Sequence, residues 1–206
     1  MVSTYEQDLQ VVRQRMERLK KNVAVHPFCY LNESDLQAEL FALLLPDFST
    51  PCLMTNTAVW GTDSPKPLRD FCSRRLHSEL LLPEGRIDLA ILDTSKIIFS
   101  VNSQGRFGHI QFEEGDHIYI ELKATRTNRS STRSIPAWKA LLAADVEKLN
   151  RYKHRCFLLC FDFGSIMSES DIPTLMAAAK PHVEVLYFRD CSGRCLFQTK
   201  SVEKMD

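Results

Sequence analysis

Two charges interrupt a run of strand-forming residues, and that run limits the fold more than any other stretch. Ile118, Tyr119, Ile120, Glu121, Leu122, Lys123 and Ala124 follow one another in the chain. Extended, they place Ile118, Ile120 and Leu122 on one face and Tyr119, Glu121 and Lys123 on the other. A strand this apolar belongs inside a sheet. There an acid and an amine are carried only if they pair with each other or serve something bound beside them. The plainer use is an ion pair on a wet sheet face, and the rest of the chain decides between the two.

Neighbouring segments supply the context. Residues 85–92 read as a second strand, with Ile87, Leu89 and Ile91 on one face and Arg86, Asp88, Ala90 and Leu92 on the other. A lone Asp88 inside it repeats the anomaly of Glu121. Residues 96–101 and 107–112 predict a hairpin between these two strands. Residues 76–82 enter the sheet, 156–163 form a continuous apolar run that reads as a buried strand, and 182–188 form a last strand. Asp93, Asp116 and Glu79 are further acids near these strands.

Helices are expected over residues 4–25, 34–45, 136–152 and 171–180. In the first, Leu9, Val12, Met16, Leu19 and Val23 make a short heptad-like seam, suited to packing on its own domain or to a dimer contact. In the second, Asn32 or Ser34 can cap the start, and Pro46 follows the end. Its stripe is Leu36, Leu40, Leu43 and Leu44, and Glu39 lies beside that stripe, where an unpartnered carboxylate would be costly. In the third, Trp138, Leu141, Leu142, Val146 and Leu149 form the apolar face, with Asp145, Glu147, Lys148 and Arg151 placed elsewhere.

Composition narrows the function. Lys and Arg together number 26 and Asp and Glu 26, so the net charge is zero. A histone-like binder of nucleic acid would be strongly basic, so any such contact must use a local patch. Residues 125–134 are that patch: Arg126, Arg129 and Arg133 stand among serines and threonines with no acid. Guanidiniums and hydroxyls suit phosphate oxygens; a solvated loop is the other use. No apolar run reaches the ~18 residues of a membrane span, and the first residues lack the pattern of a secretory signal. Among the seven cysteines, Cys191 and Cys195 are the pair that could hold zinc, if His154 or His182 folds nearby. Free thiols in a reducing cytoplasm are the simpler expectation.

The order is a helix carrying Glu39, a strand carrying Asp88, a strand carrying Glu121 and Lys123, then a helix and a strand. In this the chain resembles the PD-(D/E)XK nuclease superfamily over residues 33 to 165. Arg86 and Ile87 stand where the family usually writes a proline before the aspartate, and the hairpin lengthens the gap to Glu121. The resemblance implies an α/β, restriction-endonuclease-like core: a central mixed β-sheet flanked by helices. That core would span residues 31–200, after an N-terminal helical extension at 1–30. It also implies a metal-dependent nuclease, most readily a DNA endonuclease, with RNA as the second candidate substrate and a homodimer as a natural assembly.

The chemistry accounts for those residue types. Hydrolysis puts further negative charge on an anionic phosphate, and Mg²⁺, with Mn²⁺ as its substitute, answers that with oxygen ligands. Asp88, Glu121 and the Leu122 carbonyl would bind it. Lys123 would position the attacking water, since neighbouring carboxylates favour its ammonium form. Glu39 would hold Lys123 or reach a second metal, and Lys148 would contact phosphate. Two other readings stand beside this one: an inactive nuclease-like module for nucleic-acid binding or assembly, and an unrelated α/β protein with a structural Glu121–Lys123 pair.

The basic patch generates a test. Replacing Arg126, Arg129 and Arg133 together with Ala should weaken binding to all sequences alike. It should also flatten the salt dependence by up to about three phosphate contacts, each worth a slope of ~0.9 on duplex DNA. Filter binding across a salt series measures this; an unchanged slope returns the segment to a solvated loop.

Overall fold

The computed structural model describes residues 4–26, 29–30, 32–48, 66–67, 76–82, 85–93, 97–101, 107–112, 115–125, 135–189 and 196–199. Helix α1, Tyr5–Val25, starts at Thr4, whose hydroxyl accepts from the Gln7 amide while the Gln7 side chain accepts from the Thr4 amide. Leu9, Val12, Met16, Leu19 and Val23 are all buried, so the heptad-like seam is used inside the chain. It shares one core with helix α2, Glu33–Phe48, and with Ile118, Ile120 and Leu122 of the sheet. The helix expected as an extension is therefore a layer of the same core.

Asn32 caps α2, exchanging side-chain and backbone hydrogen bonds with Asp35. The helix runs past its expected end and takes Pro46 into its last turn. Two contacts hold that turn: Phe48 is 2 % exposed in the core, and Asp47 accepts two hydrogen bonds from Arg15 of α1 at 2.7 and 3.1 Å. Burial of a phenylalanine, about 1.5–3 kcal/mol, is of the size needed to offset the lost helical bond.

The strands are β1 Lys66–Pro67, β2 Leu76–Leu82, β3 Gly85–Ile91, β4 Ile97–Val101, β5 Phe107–Phe112, β6 Ile118–Ala124, β7 Arg155–Asp162, β8 Val183–Arg189 and β9 Leu196–Thr199. β4 and β5 are the expected hairpin and pair with β1 in a small sheet of their own. The six-stranded main sheet has the order β2-β3-β6-β7-β8-β9. β6, β7 and β8 are parallel neighbours, joined through helices α3, Ile135–Leu149, and α4, Asp171–Ala177. The outer pairs are antiparallel. β9 extends the edge beyond β8, a strand its short sequence did not announce.

The result is an α/β fold of three layers. One face of the mixed sheet carries α1 and α2; the other carries α3 and α4, with Trp138, Leu142, Val146 and Leu149 against Tyr119, Leu158, Cys160 and Val185. β7 is apolar from Cys156 to Phe161, where both of its faces are covered. Its last residue, Asp162, is fully buried. The Asp162 carboxylate accepts from Tyr187 Oη at 2.6 Å and from the Met167 amide at 3.0 Å. Trp138 donates to the same tyrosine hydroxyl at 3.3 Å. No described helix is long and apolar enough to cross a membrane.

If α1 is a core layer, Leu19→Ala should lower the unfolding free energy by about 2–5 kcal/mol, the usual cost of emptying a buried leucine site. Urea unfolding measures this. The exposed neighbour Arg18 gives the control, since Arg18→Ala should shift stability by less than about 0.5 kcal/mol. Equal small effects would make α1 an appendage.

Candidate active site

β3 and β6 pair at Leu89↔Ile120, Ala90↔Tyr119 and Ile91↔Ile118, and their ladder stops there. β6 continues to pair with β7 through Ala124, so β3 is the strand that departs. The next residue of β3 is Asp88. Its Oδ2 accepts from the Leu122 amide at 2.7 Å, taking an N–H that β3's backbone leaves unpaired. A short hydrogen bond to a carboxylate is among the stronger kinds. From the other side, Gln37 Nε2 of α2 donates to the Asp88 carbonyl at 3.0 Å.

The charges of β6 occupy this opening. Lys123 Nζ lies 3.0 Å from Glu121 Oε1, 3.1 Å from Glu33 Oε1 of α2 and 3.0 Å from the Leu122 carbonyl. Lys148 of α3 reaches the same Glu121 oxygen at 2.8 Å and donates to the Arg86 carbonyl at 3.0 Å. Asp145, one helical turn before Lys148, has Oδ1 3.7 Å from Lys148 Nζ and Oδ2 4.0 Å from Lys123 Nζ. Glu33, Asp88, Glu121 and Asp145 thus face Lys123 and Lys148, and the acids are in excess. Glu121 Oε2 and Asp145 Oδ2 are buried with no hydrogen-bond partner among the described residues.

This imbalance sets the protonation states. Burial first, and then the Glu121 charge, push the Asp88 carboxyl up to about 7, against the pull of the Leu122 amide and Lys123. Burial likewise raises Asp145 to about 6, against Lys123. For Lys123, burial works against the charge, but Glu121, Asp145, Glu33 and Asp88 outweigh it and hold the ammonium above its ordinary range.

The structure brings together Asp88, Glu121, Leu122, Lys123 and Lys148. Glu39 is a correction. The buried stripe of α2 is Leu36, Leu40, Leu44 and Phe48, not Leu43, which turns Glu39 toward α1, where Asn22 Nδ2 donates to it at 2.9 Å. Glu33 takes the place beside Lys123 that Glu39 was expected to fill. Asp145 was also misplaced by the sequence, as a polar-face residue. Its signal was available, since it lies three residues after Leu142 and four before Leu149, both buried. Asp93 and Asp116 sit at the far end of the β3–β6 ladder. Arg126, Arg129, Arg133, Cys191, Cys195 and the side chain of Glu79 lie outside the described residues. Cys156 and Cys160 are free, buried thiols, and burial pushes Cys156 up to about 12.

No group of three or more His, Cys, Asp or Glu side chains among the described residues is arranged to hold a metal ion. A smaller set of oxygen donors stands at the opening. Mg²⁺ commonly takes one or two protein carboxylates and completes its shell with water and phosphate. Asp88 and Glu121 supply two carboxylates of that kind, and one buried Glu121 oxygen has no hydrogen-bond partner among the described residues.

The raised acids make stability depend on pH. A carboxyl whose folded-state value lies above its unfolded one binds its proton more tightly when folded, so its contribution is full at low pH and lost as pH rises. For Asp88 and Asp145 the window runs from about 4 to about 7. In EDTA the chain should melt lower at about pH 8 than at about pH 5.5. Asp88→Asn, which keeps an acceptor for the Leu122 amide, should raise the Tm at about pH 8 and shrink the difference. Parallel curves for parent and variant would contradict this.

Compared with known proteins, the chain matches no family model, no curated protein and no solved structure.

Proposed function

We propose that this protein is a metal-dependent nuclease, most readily a DNA endonuclease, on a restriction-endonuclease-like core. The observation that carries the reading is the meeting of Asp88, Glu121 and Lys123 where β3 leaves β6. An α/β sheet flanked by helices is common to many activities, so the fold adds little by itself.

Asp88 and Glu121 would hold Mg²⁺ or Mn²⁺, with the Leu122 carbonyl as a third oxygen once Lys123 Nζ moves off it. Such a cation supplies charge for the phosphate and lowers the pKa of a bound water. Lys123 stays protonated among its acids, which suits it to orient a water and to donate to a phosphate oxygen rather than to remove a proton. Glu33 restrains the same ammonium from α2 and sets the direction in which it donates. Lys148, bound within the site at Glu121, would stand beside the phosphate. The chain is neutral overall, so grip on the rest of the nucleic acid would fall to local groups such as Arg126, Arg129 and Arg133.

One observation favours a second reading. Glu121 Oε1 already accepts two ammoniums, as a structural ion-pair network would have it. A paired measurement separates the two. Plasmid and single-stranded DNA are incubated with Mg²⁺, Mn²⁺ or EDTA under single-turnover conditions, and melting is followed with and without metal. Under the nuclease reading, Asp88→Asn and Glu121→Gln abolish cleavage while the fold persists, because amides are poor ligands for a hard cation. Lys123→Met cuts the rate by about 10² or more with metal binding retained. Under the ion-pair reading, Lys123→Met lowers the Tm, as a lone buried carboxylate should, and no metal-dependent cleavage is seen in the parent.

A further inference from the structure

We propose that Asp145 is a positioning residue that receives the Lys148 ammonium when a divalent cation occupies Glu121; this rests on the metal site proposed above. Lys123 Nζ and Lys148 Nζ share one acceptor, Glu121 Oε1, at 3.0 and 2.8 Å. A cation bound to Glu121 at about 2.0–2.1 Å would stand against both. Like charges at that spacing repel strongly in a partly buried site. Even on the other oxygen, Oε2, which has no hydrogen-bond partner among the described residues, the cation would stand one carboxylate away from two ammoniums. The repulsion is relieved when one of them leaves.

Lys148 is the one placed to move. Lys123 is also held by Glu33, a charged partner it keeps when the cation takes the Leu122 carbonyl, whereas beyond Glu121 Lys148 donates to the neutral Arg86 carbonyl. The Lys148 side chain is also the more exposed of the two, 19 % against 11 %. Asp145 is ready to take it. The two are three residues apart on α3, and Oδ1 of Asp145 lies 3.7 Å from Lys148 Nζ, just beyond hydrogen-bond distance. Asp145 is 9 % exposed, and its Oδ2 has no hydrogen-bond partner among the described residues. A buried acceptor with spare capacity beside a displaceable ammonium lowers the cost of cation entry. Held there, Lys148 remains next to the phosphate instead of turning out to solvent.

Calorimetric titration with Mn²⁺ alone tests this on the full chain, using the parent, Asp145→Asn, Lys148→Met and the double variant, each checked by melting. Asp145→Asn should weaken Mn²⁺ binding by about 10- to 100-fold, the range for outer partners of metal ligands. Lys148→Met should tighten it. In the Lys148→Met background, Asp145→Asn should change Kd by less than about twofold, because the ammonium it receives is gone. Equal weakening in both backgrounds overturns the proposal, since Asp145 is then a ligand or a bulk negative charge. A parental Kd for Asp145→Asn overturns it as well. If Asp145→Asn fails to fold, Lys148→Met decides alone: tighter binding supports the proposal, and unchanged or weaker binding overturns it. A parent that binds no Mn²⁺ removes the metal reading and this inference together. A parent that binds Mn²⁺ without coupling between the two residues removes the inference alone.

Discussion

The hydrogen bond from the Leu122 amide to Asp88 Oδ2 is the contact on which the site depends. β6 must follow β7 to its end, because the β6–α3–β7 crossover fixes a parallel ladder through Ala124. β3 follows β6 for three residue pairs only. Where it leaves, β6 would expose backbone donors inside the protein, and a buried unpaired N–H costs about 1–3 kcal/mol. A carboxylate at position 88 satisfies one of them. The same group that repairs the ladder also delivers negative charge to the opening, so the geometry of the sheet and the charge of the site have one cause.

That charge then has to be balanced. Glu121 and Lys123 could have cancelled each other on an ordinary strand. Here Glu33 and Asp145 add acid from two helices, and Lys148 adds a second ammonium to an oxygen that already has one. In this site Glu121 Oε2 and Asp145 Oδ2 are left buried with no hydrogen-bond partner among the described residues. A network built only for stability gains from having each of its groups satisfied, since a partly satisfied one is worse than an apolar core of the same volume. An excess of buried acid with unfilled acceptors is what the proposed cation would complete.

How much of this the sequence carried depends on the period of each element. The strands around Asp88 and Glu121 alternate cleanly, and an isolated acid in such a run stands out against the pattern. Helical acids do not stand out in that way. A residue three after one apolar position and four before another lies near the buried stripe, and that rule fits Glu39 and Asp145 equally. It chose Glu39 because Leu43 was counted in the stripe. The helix instead packs through Leu36, Leu40, Leu44 and Phe48, which follow a strict four-residue step past Pro46. Proline ordinarily ends a helix, so the sequence alone gives no reason to let Phe48 set the rotation. Glu33 was missed for a different reason: it sits in the first turn, where acids are ordinary partners of the helix dipole.

The placement of Glu33 also shows what the opening in the sheet accomplishes. Tyr119, Glu121 and Lys123 point to the α3 face of β6, and Tyr119 packs in the core on that side. Glu33 belongs to α2, which covers the opposite face. In a continuous sheet the backbone would keep these groups apart. They meet at 3.1 Å because β3 no longer pairs with β6 at that level and a side chain can pass the edge. Lys123 therefore joins the two helical layers, with Glu33 of α2 on one side and Asp145 of α3 on the other. A shift of either layer against the sheet changes the surroundings of the same ammonium. The apolar packing of α1 against α2 is then part of what holds Lys123 in register with Glu121.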